Sequence, residues 1–282
     1  MTGILLVAIG IMNNAIVTSG IGNGFSLMIA QWSQGSIVLA IVLIGLASLV
    51  LGMGLPVTAA YIILAILTAP ALAGILADTI IVDQLVAGIV DPAKSAMFAL
   101  VDHPLTAKVA SGMTRDEALA LLAAIRPLLV DPAQQAVFLL TAHLIIFWLS
   151  QDSNVTPPVC LAAFAAAGIA GSKPMETGFQ AWKIAKGLYI VPLMFAYTPL
   201  ISGDWMQILQ VGFFALFGIY AINSIIQLYA EGPLSLITGP MMAFGVVCCF
   251  WPMHLIANLI GAATVILAIV LSQRKLRAQQ LA

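Results

Sequence analysis

Apolar residues run in long blocks along this chain, and the breaks between them are short and rich in glycine, proline and small polar residues. Residues 3–19 form one apolar block, interrupted by Asn13 and Asn14, and Ser19 to Gly24 reads as a flexible glycine turn. Residues 36–51 form a second run. Gly52-Met53-Gly54-Leu55-Pro56 ends it, and a third run follows at once over 57–77. Glycine and proline packed this closely break a helix, so the pattern predicts two arms around a re-entrant hairpin or a discontinuous helix. Residues 136–150 and 159–171 repeat the arrangement around Gln151-Asp152-Ser153-Asn154-Val155-Thr156-Pro157-Pro158. Paired interruptions of this kind are a sequence pointer to the binding site of a transporter. Four further spans are predicted, over 188–202, 207–228, 234–251 and 254–272.

Polar residues gather elsewhere. Residues 78–131 hold eleven of the chain's twenty-one charges, seven acidic and four basic. Thr114-Arg115-Asp116-Glu117 has the form of a capping box, with Thr114 at the N-cap and Glu117 reaching back. Leu119, Leu122 and Ile125 then recur at three-residue steps, which predicts a short amphipathic helix limited by Pro127. A second helix is expected over 93–101. Residues 172–187 carry Lys173, Lys183 and Lys186 against Glu176 alone and read as a loop with an interfacial helix beside Trp182. The chain thus divides into a transmembrane block, 1–77, a polar insert, 78–131, a broken-helix segment with its interfacial helix, 132–187, and a C-terminal block of four spans with a basic tail, 188–282.

Composition turns this pattern into a class. Of 282 residues, 62% are apolar and 7% charged, and the mean hydropathy is +1.11. Soluble domains carry about 25% charge, so the chain is read as an all-α polytopic membrane protein. A transmembrane β-barrel requires short alternating segments with a polar lumen face, and these are absent from the sequence. The net charge of −1 offers no basic surface to nucleic acid. No charged residue precedes Asp78, so the first block lacks the basic start of a signal peptide and reads as a mature helix. The positive-inside rule places the 172–187 loop and the tail with Arg274, Lys275 and Arg277 on the cytoplasmic side. Four spans between the two are consistent with that.

The breaks are where chemistry is expected. At membrane depth non-helical backbone is tolerated only inside protein or against a water-filled cavity. The carbonyls of Gly52 and Gly54 with the Thr58 hydroxyl can coordinate a hard cation such as Na⁺, and the arm that starts after Pro56 offers a positive dipole end. The same residues also suit a plain kink or interhelical turn. In the second break Asp152, Ser153, Asn154 and Thr156 supply oxygen ligands without histidine or cysteine, which suits Na⁺ rather than a transition metal. An aspartate at the bilayer centre is expensive, so Asp152 requires a partner or water there, whereas in an extramembrane loop it costs nothing. His143 lies within an apolar arm and suits either a proton-sensing role or a neutral hydrogen-bonded one. His103 and His254 have no companion residues. Cys160, Cys248 and Cys249 read as small buried hydrophobes. The sequence contains no GxSxG, HExxH, CxxC or GxxxxGK[ST] string, so no enzyme is expected and no ATP-driven step.

GMGLPVTAAYIILAILTAPAL (52–72) and NVTPPVCLAAFAAAGIAGSKPMETGFQAWKIA (154–185) resemble the large permease subunit of the tripartite ATP-independent periplasmic (TRAP) transporters, most closely the C-terminal part of the fused-permease type. The resemblance covers roughly half of the chain. It implies Na⁺-coupled uptake of small organic anions, such as C4-dicarboxylates, across the bacterial inner membrane, with substrate delivered by a periplasmic binding protein. It implies no cofactor other than Na⁺ as coupling ion. It also implies a pair of inverted repeats with hairpins and broken helices, of which this chain carries the second, so that a chain with the first repeat and the small permease subunit is an expected partner. Gly52, Gly54, Pro56, Thr58, Asn154, Thr156, Pro157 and Pro158 carry over as ion- and substrate-site candidates, with Gly52, Thr58, Asn154 and Thr156 for Na⁺. Asp152 departs from the family spacing, in which an aspartate stands two residues ahead of the Thr-Pro-Pro. The 78–131 insert is longer than the family's usual link. A different class of function, a structural or partner-binding membrane module without transport of its own, fits the same pattern.

Overall fold

A computed structural model of the chain describes residues 2–53, 55–88, 113–252 and 254–281. Among these there are twelve α-helices, one 3₁₀ turn and no strand. In chain order the helices are α1 (Thr2–Ser19), α2 (Ile21–Ser33), α3 (Ile37–Gly52), α4 (Val57–Val86), α5 (Arg115–Leu129), α6 (Pro132–Ser150), α7 (Leu161–Ala170), α8 (Pro174–Ile184), α9 (Gly187–Tyr197), α10 (Trp205–Gln227), α11 (Thr238–Cys249) and α12 (Leu255–Leu281). Among the described residues four stretches are long and apolar enough to cross a membrane: Val57–Val86, Pro132–Asn154, Trp205–Gln227 and Leu255–Gln280. This is the all-α polytopic architecture that the apolar runs predict. Helices α9 and α11 have 11 and 12 residues, short of the roughly 20 that span a bilayer alone.

The chain forms two compact units, Met1–Ser48 with Thr58–Phe147, and Leu49–Val57 with Trp148–Ala282. In the first, α1 runs unbroken through Asn13 and Asn14, and the expected glycine turn shrinks to Gly20 alone, at φ 71°. Helix α2 continues through Gly22 and Gly24, since isolated glycines weaken a helix by about 1 kcal/mol each without ending it. Pro70 lies inside α4. Proline lacks the N–H that would reach back four residues and crowds that turn. There the Ser26 hydroxyl of α2 donates to the Leu67 carbonyl at 2.7 Å. Tyr61 on α4 and His143 on α6 share a 3.2 Å hydrogen bond, and Phe147 meets Tyr61 edge-on. His143 is thus partnered by a residue of α4.

Helix α4 has 30 residues, about 45 Å at 1.5 Å per residue, and runs well beyond the predicted end at 77. Its last turns carry Asp78 and Asp83 and receive α5. Ile81, Val82 and Leu85 pack against Met113, Ala118, Leu122 and Leu129. Arg126 holds the Asp78 carboxylate with two hydrogen bonds, at 2.7 and 2.5 Å, and Arg115 reaches Asp83 at 3.4 Å. The capping box forms as expected: the Thr114 hydroxyl accepts from the Glu117 N–H, and Glu117 accepts from the Thr114 N–H. The buried face keeps Leu122 of the predicted one and loses Leu119. Leu119 is exposed, because the contact with α4 runs through Ala118 and Leu122, and α5 continues past Pro127 to Leu129. The side chain of Ile125, the Gly54 position and the expected helix over 93–101 lie outside the described residues.

In the second unit, α10, α11 and α12 pack on one another around Ala221, Ala230, Met242, Val265 and Ala268. Asn258, 3% exposed, fastens the end of α11. Its amide donates to the carbonyls of Cys248, Cys249 and Trp251 at 3.0–3.2 Å and accepts from Gln210 on α10 at 2.9 Å. The last carbonyls of a helix have no partner within it, and one side chain here satisfies several. Asp204 opens α10 with a capping box to Gln207. Helix α12 runs on past 272 and carries Arg274, Lys275 and Arg277.

Candidate functional site

Both predicted breaks exist, and the second unit brings them together. Helix α3 ends at Gly52. After Ser150, which ends α6, the chain tightens into a 3₁₀ turn over Asp152–Asn154, where Val155 and Thr156 both donate their N–H to the Asp152 carbonyl. A Cβ at Gly52 would lie 2.4 Å from both Cβ and Oγ of Ser153. Only a residue without a side chain lets these two segments approach so closely. Gly52 and Ser153 are both buried.

Asp152 is 3% exposed and Thr156 8%. Asp152 therefore lies inside the protein rather than in a solvated loop, and a buried carboxylate must be compensated by hydrogen bonds or charge. The compensation begins with Thr156, whose hydroxyl donates to Asp152 Oδ1. The Tyr189 hydroxyl of α9 lies 3.0 Å from Thr156 Oγ1, and Trp182 Nε1 of α8 donates to the Tyr189 oxygen at 3.0 Å. An indole N–H can only donate and a carboxylate can only accept. The two hydroxyl protons between them are therefore oriented in one sense: Trp182 gives to Tyr189, Tyr189 to Thr156, and Thr156 to Asp152. Chains of this kind polarise each other and strengthen the bond at the charged end. Lys186 closes the sequence, its Nζ 3.3 Å above the Trp182 ring and 5.5 Å from the Tyr189 ring centroid. Burial lowers the Lys186 ammonium from its ordinary pKa, and the Asp152 carboxylate opposes that shift.

Three local features hold this arrangement. The Pro157-Pro158 peptide is cis, and Thr156 receives the N–H of Cys160 at 3.3 Å as the chain turns into α7. Helix α8 starts with Pro174 in its first turn, the position where proline's missing N–H costs nothing. Gly178 lets α8 lie against the turn, since a Cβ there would meet the Cys160 sulfur at 2.6 Å.

Of the expected site residues, Gly52, Asp152 and Thr156 are buried in one place, with Asn154 half-buried beside them. Pro157 is half-buried, while Pro158 and Pro56 are exposed at the edges of their breaks. Thr58 stands exposed on the first turn of α4 and belongs to the first compact unit. Tyr189, Trp182 and Lys186 were not among the expected residues. In the sequence Trp182 and Lys186 read only as parts of the interfacial segment, and Tyr189, on the next helix, gives no signal of its own.

A buried oxygen-rich break between apolar helices is the kind of place where membrane transporters bind their ligands. The family model for the tripartite ATP-independent periplasmic transporter, DctM component, matches residues 1–201. The chain belongs to that family and is a TRAP transporter permease component. No curated protein and no solved structure matches it. The matched span includes both breaks and the whole Asp152–Lys186 network, while α10–α12 lie beyond it.

Proposed function

We propose that this chain is the part of a TRAP permease that carries an ion site at Asp152–Thr156, and that it serves Na⁺-coupled uptake of small organic anions, C4-dicarboxylates among them. A periplasmic binding protein delivers the substrate, and a chain with the first repeat and the small subunit completes the pathway. The reading rests most on one observation: the Asp152 carboxylate is buried and oriented by Thr156 at the 3₁₀ turn that ends α6. The donor set of the turn is carboxylate, hydroxyl, amide and backbone carbonyl, the hard oxygen chemistry that suits Na⁺. The chain of donors from Trp182 fixes the Asp152 carboxylate in position. Lys186, held over the Trp182 ring, supplies positive charge at the other end of the network for an organic anion. The basic C-terminal tail lies on the cytoplasmic side in this reading.

The test is transport itself. The chain, co-reconstituted with its permease partner and binding protein, should accumulate a labelled C4-dicarboxylate under an inward Na⁺ gradient and not under a K⁺ gradient. Asp152→Asn should abolish accumulation. Equal uptake under both gradients would remove Na⁺ coupling.

A further inference from the structure

The C-terminal unit contains a second feature, independent of the ion site and outside the family match. Where α10 ends, the chain loops back through residues 228–237 into α11, and the loop and the start of α11 form an open groove of about 700 Å³. Its walls are Leu228, Leu234, Leu236 and Ile237, and Leu236 is 95% exposed. One charged side chain lines it, Lys275 near the end of α12. Among the described residues Lys275 makes no ion pair. The first free N–H groups at the start of α11 are already taken: the Ser235 hydroxyl accepts from Ile237 at 3.3 Å and from Thr238 at 3.1 Å. The lysine is therefore the electropositive element of the groove. Residues 228–281 carry three basic side chains and one acidic one.

An apolar trough with a single unpaired cation at its rim is complementary to an amphiphile with a single anionic head. We propose that this groove binds an anionic phospholipid of the surrounding bilayer, its acyl chain along Leu228, Leu234, Leu236 and Ile237 and its phosphate on Lys275. A zwitterionic headgroup fits less well, because its own ammonium lies close to the phosphate and repels the lysine. Basic side chains at the membrane surface favour anionic lipid in this way.

Gly239 makes the site testable without disturbing the fold. It lines the groove, and a Cβ there meets no atom within 4 Å, so leucine fits into open volume. The full chain in detergent is titrated with phosphatidylglycerol and with phosphatidylcholine of the same acyl chains, and the unfolding midpoint is read. The wild type should reach half-maximal stabilisation at about fivefold lower phosphatidylglycerol than phosphatidylcholine, the preference that one lysine at a surface supplies. Lys275→Gln should erase that preference, Lys275→Arg should keep it, and Arg274→Gln, one residue away and outside the groove, should keep it. Gly239→Leu should weaken the response to both lipids. An equal wild-type response to the two lipids, an equal loss in Lys275→Gln and Arg274→Gln, or an unaltered response in Gly239→Leu would overturn the proposal.

Discussion

The Tyr189 hydroxyl lies 3.0 Å from the Thr156 hydroxyl, and this contact joins the buried carboxylate of the 3₁₀ turn to Tyr189 of α9 and, through it, to Trp182 of α8. Because the indole of Trp182 can only donate, every proton in the chain points toward Asp152. Thr156 is the member that touches the charge.

Thr156→Val removes the hydroxyl at nearly constant volume and leaves the buried carboxylate without that donor. Leaving a buried polar group unsatisfied costs roughly 1–3 kcal/mol, more for a charged one. The variant should unfold at lower temperature than the wild type, and Thr156→Ser should recover most of the difference. A thermal denaturation series in detergent decides it, and a valine variant as stable as wild type would show that the bond contributes nothing.

The cost of breaking the chain should fall with distance from the charge. Tyr189→Phe removes one neutral link, worth about 1 kcal/mol. Trp182→Phe should cost less still, since Trp182 is 37% exposed and water can take the place of its N–H. Stability measured across the three variants should rank Thr156→Val as the most damaging and Trp182→Phe as the least. A reversed order would mean that the network is anchored at its aromatic end.

Gly52→Ala puts a methyl group 2.4 Å from Ser153. Overpacking of this kind costs about 1–3 kcal/mol. Ser153→Gly removes the two atoms it would strike, so the double variant Gly52→Ala with Ser153→Gly should be more stable than the sum of the two single effects. Residues in contact show such coupling in a double-mutant cycle, and residues that do not touch do not. Strict additivity would separate the two breaks.

Asn258→Leu keeps the side chain's bulk but removes its bonds to the Cys248, Cys249 and Trp251 carbonyls and to Gln210. It should lower stability by roughly 1–3 kcal/mol and leave any Na⁺ dependence unaltered, because Asn258 ties α11 to α10 and bonds neither Asp152 nor Thr156. Thermal unfolding with and without Na⁺ checks both halves of the statement.

Much of this was legible in the sequence, for local reasons. Glycine and proline at 52–56 and the polar run at 151–158 interrupt apolar stretches, and both segments are breaks in the fold. Thr114 and Glu117 stand three apart and form their capping box. What was not legible depends on distant partners. Nothing near Asp152 in sequence announces Tyr189, 37 residues on, or the aromatic that orients it. Leu119 and Leu122 were both expected on the buried face of α5, but the packing on α4, with its ion pairs to Arg115 and Arg126, buries Leu122 and Ala118 and leaves Leu119 outside. Residues 3–19 lie in one helix, as the apolar run through Asn13 and Asn14 predicts, whereas Pro127 looked like a stop and α5 runs through it.

The most direct measurement of the central claim is a Na⁺ titration of the purified chain, reading its unfolding temperature with K⁺ as the control. A ligand bound only by the native state stabilises it in a saturable way. An ion site at Asp152–Thr156 predicts a Na⁺-specific, saturable rise in the wild type that Asp152→Asn abolishes in a protein that still folds. Identical curves in Na⁺ and K⁺, or an unchanged Na⁺ response in Asp152→Asn, would contradict it.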